Sequence, residues 1–553
     1  MNALRHISAL LACSMFFMAG HAVQIRREPG HRIPESIFPT DRDNPDLWTT
    51  ASGYINTRAA APGTYALNDI PRTGTIEYPL VLVDFKDLHF HIQDKDSLLK
   101  RYEQVFNEHG YSDTNKYVVH GNTFYGATGS VSDYFRDQSY GQYIPKFNII
   151  GPIQLSQDFA YYGKGAQGKD YNASKMITEI CDSIISQGLA NLSGYARAGT
   201  IDQLSIIYAG NGENYDGSNP NTIWPHASVI YGYGKNGITD IRYACTCELF
   251  WDTDTILDGI GTFCHEFSHT LGLPDFYNTT SQEKTESDAA MGYWSLMDYG
   301  NYENGGFSPV GYTAFEKYSL GWMYIEKLGY AGAYYLNEIS QDPDPAEGIH
   351  SAYRLYTDDD NQFIILENHQ KTGWYKYHKA EGLMVTVVNY NKRIWGSHAV
   401  NDNAKRYYIL PADNDYHRNT NSGDLFPYQG IDSITTLGTP KLAITDKTNS
   451  KDTLIYPPFS IYNIARDGNL VTFRAGYDMP SGITAPKEQE VSISIVDGEL
   501  SVSAPIGNIV TVHDISGKKV LETVTTNQTQ QISLPDHGIW IVRCGDTVRK
   551  IKK

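Results

Sequence analysis

His265-Glu266-Phe267-Ser268-His269-Thr270-Leu271-Gly272-Leu273-Pro274-Asp275 is the stretch that decides how this chain folds. Two histidines four residues apart on a helix project from one face, so both imidazoles can reach a single metal ion. Glu266 is offset to one flank, where a base takes a proton from water at the metal without filling a coordination position. At about 100° per residue, Ile256, Ile260, Phe263, Phe267 and Leu271 form an apolar stripe, with His265, His269, Asp258, Gly261 and Thr262 opposite. This predicts a helix anchored by one face and reactive on the other, capped by Asp252 or Asp254 and ended at Gly272. The reversal at Gly272, stiffened by Pro274, returns Asp275 as a third ligand. Three protein ligands and one open position suit a catalytic rather than a structural zinc. The plainer reading, two polar residues on a surface helix, explains neither the glycine break nor the returning carboxylate.

Downstream, Trp294-Ser295-Leu296-Met297-Asp298-Tyr299-Gly300 contains Ser-x-Met-x-Tyr. It resembles the methionine turn of the metzincin metallopeptidases. The resemblance implies that Met297 forms a floor under the metal and that Tyr299 approaches from the side. Met297 also reads as ordinary core, and the two readings are compatible. A longer match, over roughly residues 75–430, is to secreted bacterial metallopeptidases typified by immune inhibitor A. It is carried by Leu80–Phe85, Gly129–Phe135, Ile223-Trp224-Pro225-His226, Phe315–Trp322, Glu367-Asn368 and Gly423–Pro427. The resemblance implies an α/β (α+β) metzincin-like zinc peptidase domain acting on protein or peptide substrates. Its ligands would be His265, His269 and Asp275, with Glu266 as base and Tyr299 as donor to the oxyanion.

The chain has 553 residues, enough for two to four domains, and 63 acidic against 45 basic residues, a formal charge of -18. That balance argues against nucleic acid as a partner. Forty-one tyrosines suit a β-rich extracellular protein. Residues 1–22 read as a signal peptide: Arg5 and His6, an apolar run from Ile7 to Gly20, and Gly20-His21-Ala22 as cleavage site. No later run is long enough for a transmembrane span. Residues 23–75 read as an N-terminal arm or pro-segment.

Beyond the signal lie Cys181, Cys245, Cys247, Cys264 and Cys544, an odd number. A disulfide from Cys245 or Cys247 to Cys264 would brace the metal helix in an oxidising compartment, and three buried thiols are the other reading.

Residues 76–328 are read as the peptidase domain. Its strands are placed at Leu80–Phe85, Lys146–Ile150 and Gln203–Ala209, and its helices at Asp96–Glu108, Val131–Asp137 and Ala173–Leu189. The segment 205–212 is expected to be the sheet edge along which substrate adds as a strand. His226 lines the cleft or is a hydrogen-bonded structural residue. Residues 329–478 alternate as a β-rich region associated with the peptidase. In it, Asp358-Asp359-Asp360-Asn361 and Asp342-Pro343-Asp344 read as turns, with Ca2+ binding as the other reading.

A linker at 479–488 leads to a small β-sandwich at 489–553. Val512–Val520 and Gly538–Arg543 resemble the sorting domain of the type IX secretion system. That resemblance implies a secretion-machinery partner and a secreted or surface-attached product. Two other classes fit less of the sequence: a zinc hydrolase of non-peptide amides, and an inactive surface-binding protein on a protease scaffold. Nothing in Glu266, the histidines, Asp275 or Tyr299 signals decay.

Overall fold

Leu80, Val81, Leu82 and Val83 are all fully buried. Leu80 and Leu82 belong to one apolar cluster and Val81 and Val83 to another, so this strand, β1 (Gly74–Asp84), is covered on both faces. That explains its continuous rather than alternating apolar pattern. The structure is a computed structural model. It describes residues 70–553 apart from 164–169, 216–218, 220, 280–289, 345–346, 418–420, 447–452, 479–490 and short breaks at 497, 505–507, 516–517, 528, 535–537 and 545–546. The signal peptide, residues 23–69 of the arm and the 479–488 linker lie outside the described residues.

β1 pairs in parallel with β2 (Tyr143–Gln154) and with β3 (Thr200–Asn211). Beyond them lie β4 (His226–Ile230) and β5 (Asp240–Leu249), giving the order β2-β1-β3-β5-β4, with β4 alone among these five antiparallel to its neighbour. Helices α1 (Lys95–Asn107), α2 (Val131–Gln138) and α4 (Ile260–Leu271) share the cluster of Leu80 and Leu82, while α3 (Ala173–Gln187) packs with Val81 and Val83 on the other face. β1 is joined to β2 through α1 and α2, and β2 to β3 through α3, while the connection from β3 to its parallel neighbour β5 runs through β4.

Two expectations are corrected by this sheet. The segment 205–212 is no edge: Ser205 pairs with Leu80 on one side and Ala244 on the other. Residues 201–210 are buried throughout, as an interior parallel strand must be. The edge on that side is β4, whose five residues are all half-buried. The expected disulfide from Cys245 to Cys264 is absent; the five described cysteines are free and buried. Cys245 lies in the core cluster of α3 and Cys264 in that of α4, on opposite faces of the sheet.

After residue 329 the chain is mainly β. Glu326–Lys327, Ala352–Tyr356, Gln362–His369, Gly382–Asn389 and Tyr407–Ile409 form one sheet, and Gly332–Leu336, Ser460–Asp467 and Leu470–Gly476 another. Phe363, Ile365, Met384, Val388 and Leu425 share one core with Phe263 and Phe267 of α4, so this region is continuous with the core that holds that helix. Asp358–Asn361 is the exposed turn between Ala352–Tyr356 and Gln362–His369, closed by Asn361 N–H donating to Asp359 Oδ1 at 2.9 Å. At the other acidic pair, Asp344 N–H donates to Ile349 O at 3.0 Å.

In the last part, Ser492–Val496, Glu499–Ser503 and Thr529–Ile532 form a three-stranded sheet. Ile509–His513, Lys519–Val524, Ile539–Cys544 and Thr547–Lys552 form a four-stranded one. Between them Leu500, Val502, Val510, Val512 and Val542 are buried. No described helix is long and apolar enough to cross a membrane.

Candidate metal centre

α4 begins at Ile260, later than its apolar stripe suggested, so neither Asp252 nor Asp254 caps it. Gly259 is the N-cap, and Asp258 accepts the Gly259 N–H at 2.9 Å. Every residue of α4 is buried. Phe263 meets Phe106 at 4.7 Å between ring centres, and Phe267 meets Phe135 at 5.0 Å and Tyr78 at 5.2 Å. The opposite side is enclosed too. A Cβ on Gly261 would collide with the Asn301 carbonyl, and one on Gly259 with Gly306, so these glycines let the segment 299–306 lie directly against the helix. Gly272 ends α4 at φ 104°, with Gly272 N–H bonded to His269 O and Leu273 N–H to Ser268 O.

This reversal does bring Asp275 back. Its Oδ1 lies 3.2 Å from Nε2 of His265 and 3.3 Å from Nε2 of His269. A tetrahedral zinc with bonds of about 2.0–2.1 Å separates its ligand atoms by about 3.3–3.5 Å, so the donor set fits that ion. It is the one such group of three His, Cys, Asp or Glu donors among the described residues. Each imidazole is oriented from behind. His265 Nδ1–H donates to Leu296 O and His269 Nδ1–H to Leu273 O, both at 2.8 Å, which leaves each Nε2 free for a metal. Burial disfavours charge at both Asp275 and His269, but their attraction outweighs it. The carboxyl is held well below its ordinary range, and the imidazole is brought up to about 9. Burial pushes Glu266 above the usual carboxylate range, partly offset by His265 and His269.

The turn Ser295–Tyr299 holds both ends of the candidate ligand set. Leu296 supplies the carbonyl that aims His265, and Met297 O accepts from Phe276 N–H at 2.8 Å, the residue next to Asp275. Met297 itself is fully buried in the core of α4. The turn is fastened in turn. Asp298 Oδ2 accepts from Met291 and Gly292 N–H at 3.0 and 2.8 Å. Ser295 Oγ–H donates to Glu316 Oε1 at 2.6 Å, and Trp294 Nε1–H to Asp424 Oδ2 at 2.5 Å. Glu316 also receives Thr313 N–H at 2.7 Å, and Glu367 receives Ala314 N–H at 2.7 Å. The segments Phe315–Trp322, Glu367-Asn368 and Gly423–Pro427 thus converge on one turn, although more than a hundred residues separate Trp294 from Asp424.

Tyr299 is half-buried, and its ring lies 6.5 Å from Tyr277, which is itself nearly parallel to His265 at 6.5 Å. Tyr299 therefore stands one ring away from the ligand. His226 is a hydrogen-bonded residue of β4. Its Nδ1 bonds to Trp224 O at 2.7 Å and its Nε2 to Tyr243 OH at 2.9 Å, and it stands near enough to Glu266 for its charge to act on that carboxyl. Sequence reasoning missed three residues. Tyr277 has its ring 6.5 Å from that of His265, Tyr302 has its hydroxyl pushed up by burial with the charge of Glu266 adding to it, and His398 has its ring 5.2 Å from that of His269. Tyr277 stands two residues after Asp275, which was a usable signal. His398 had none, being 129 positions from His269 in sequence.

Residues 75–329, which include the helix, the three clustered donors and the turn Ser295–Tyr299, match the family described as immune inhibitor A peptidase M6, catalytic domain. The chain is 26% identical over 318 residues to the pre-pro-metalloprotease PrtV of Vibrio cholerae serotype O1, covering 50% of this chain and 33% of that protein. It is also 26% identical over 301 residues to immune inhibitor A of Bacillus thuringiensis subsp. alesti, covering 45% of this chain and 41% of that one. The match thus spans a third to two-fifths of each relative's length. Over residues 75–329 the chain is therefore similar to the immune inhibitor A-like M6 metallopeptidase domain.

Proposed function

We propose that this chain is a secreted, zinc-dependent endopeptidase of the metzincin type. The observation that carries the reading is the group His265, His269 and Asp275, with the carboxylate oxygen 3.2 and 3.3 Å from the two imidazole nitrogens and all three donors within 4.8 Å of one another, and a buried carboxylate, Glu266, on the same helix. When bound, zinc would acidify its water and polarise the substrate carbonyl. Glu266 removes the proton from the attacking water and delivers it to the leaving amine, a task suited to a carboxyl whose burial raises its proton affinity. Tyr299, by rotating past Tyr277, donates to the developing oxyanion. Leu296 and Leu273 keep both imidazoles aimed while this happens. β4, half-buried and paired on one side by β5, offers its other side to an extended substrate strand.

Residues 1–22 act as the export signal, and the C-terminal β-domain serves as a type IX sorting signal. The test of the peptidase reading is Glu266→Ala. It should bind zinc and melt like the wild type, yet lose roughly 10²–10⁴-fold in cleavage of casein or gelatin. Undiminished cleavage would exclude the assignment.

A further inference from the structure

We infer that His398, outside both the 75–329 span and the ligand set, is a catalytic residue: its imidazole N–H donates to the scissile carbonyl oxygen as negative charge develops there. The inference rests on the peptidase reading and adds a donor to it. Its ring centre is 5.2 Å from that of His269, inclined at 48°. His398 is 5% exposed, against 5%, 7% and 8% for His265, His269 and Glu266, so it is buried to the same degree as they are. It is not one of the three clustered metal donors. Its place is therefore beside the metal and not on it, where a group that meets a bound carbonyl must stand.

The backbone at His398 is left-handed, as it is at nine other described non-glycine residues. His398 has φ 53° just after the short helix Lys392–Trp395, a position that glycine or asparagine occupies more easily. Its N–H bonds to Trp395 O at 3.2 Å, and Ala399 N–H to Ile394 O at 3.3 Å. Strain of this kind persists where the surroundings over-determine it, commonly at functional sites. The surroundings here are the residues that follow Asp275. Asn401 Nδ2–H donates to Phe276 O at 2.7 Å. Asp402 Oδ1 accepts from Thr279 N–H at 2.7 Å and Oγ1–H at 2.9 Å, and Asn278 Nδ2–H donates to Asp402 O at 3.3 Å. The loop carrying His398 is thus bolted to the segment carrying the third ligand, and its distance from the metal is set by the same strut.

The test compares His398→Phe, His398→Gln and His398→Gly. Phenylalanine keeps the ring without a donor, glutamine keeps a donor, and glycine suits the backbone without a side chain. Bound zinc, melting temperature, kcat and KM on a peptide are measured. So is affinity of the zinc-loaded protein for a phosphinic peptide, which mimics the tetrahedral oxyanion, and for the matching plain peptide. Loss of one such donor is expected to lower kcat by about 10²–10³-fold. Phenylalanine and glycine should show that loss with KM within about twofold and zinc content unchanged. Both should also bind the phosphinic peptide at least tenfold more weakly while plain-peptide affinity holds, and glutamine should recover at least part of the loss. Unchanged kcat and phosphinic-peptide affinity in the phenylalanine or glycine variant would overturn the inference. Loss of zinc would also overturn it, since the residue would then only position His269. Failure of the wild type to cleave any peptide is a separate result that sinks the peptidase reading, because phosphinic-peptide affinity is read without turnover.

Discussion

Asp275→Asn tests the ligand set most directly, because it keeps the shape of the side chain and removes its charge. The carboxylate Oδ1 lies 3.2 and 3.3 Å from the two Nε2 atoms, while the Leu296 and Leu273 carbonyls hold the imidazoles independently of it. The variant should therefore fold and keep two aimed histidines. At free zinc about 1,000 times Kd, binding adds about 4 kcal/mol to the stability of the native state. If loss of the charged ligand weakens binding about 100-fold, the top of the range for outer-shell partners, that gain falls to about 1.4 kcal/mol. With roughly 2–4 °C per kcal/mol for domains of 150–250 residues, and less for longer ones, the wild type should gain several degrees on zinc addition. Asp275→Asn should keep about a third of that gain. The assay is thermal unfolding with chelator and with excess zinc, alongside metal content by native mass spectrometry. Equal zinc-dependent gains in the two proteins would refute Asp275 as a ligand.

Two further outcomes concern the support of the helix. Burial pushes the Asp258 carboxyl up to about 7, so the folded state holds its proton more tightly than the unfolded chain does. Stability from this group is therefore intact below about pH 4 and lost as pH rises through about 7. Asp258→Asn keeps an acceptor for Gly259 N–H and Tyr215 OH. Its melting advantage over the wild type, measured in chelator, should grow between about pH 5 and pH 8, and a pH-independent difference would count against this account. Gly261→Ala sets a methyl into the Asn301 carbonyl, so helix and segment 299–306 must part, at about 1–3 kcal/mol. A melting temperature equal to the wild type's would show that the close approach is not required.

The metal centre was largely legible because its parts are local. His265, Glu266 and His269 lie within two turns of one helix, and Gly272 and Asp275 follow at once, so helical periodicity and glycine's tolerance of φ 104° were enough to expect their meeting. The interior strands β1 and β3 were legible as apolar runs, the interior strand β5 was missed, and the edge strand β2 extends past Pro145 and Pro152 to span Tyr143–Gln154. Which strand forms the edge was not legible. A buried run marks a strand as interior but does not say which neighbours it has, and β3 proved central while the short, half-buried β4 took the edge. The Cys245–Cys264 disulfide failed for a similar reason, since nearness in sequence does not say on which face of a sheet a side chain falls.

What the sequence by itself determined is therefore the chemistry of one helix and its return. The spacing of the candidate ligands, the helix stop and the turn Ser295–Tyr299 depend on neighbours within a few residues, where backbone geometry leaves few alternatives. What only the tertiary structure decided is how that chemistry is held and reached. Asp424 on Trp294, Glu316 on Ser295, and His398 beside His269 are contacts between segments that no local rule relates. They arise because one apolar core joins α4 to the strands beyond residue 329, and burying that core brings distant polar groups to the same turn, where each must find a partner.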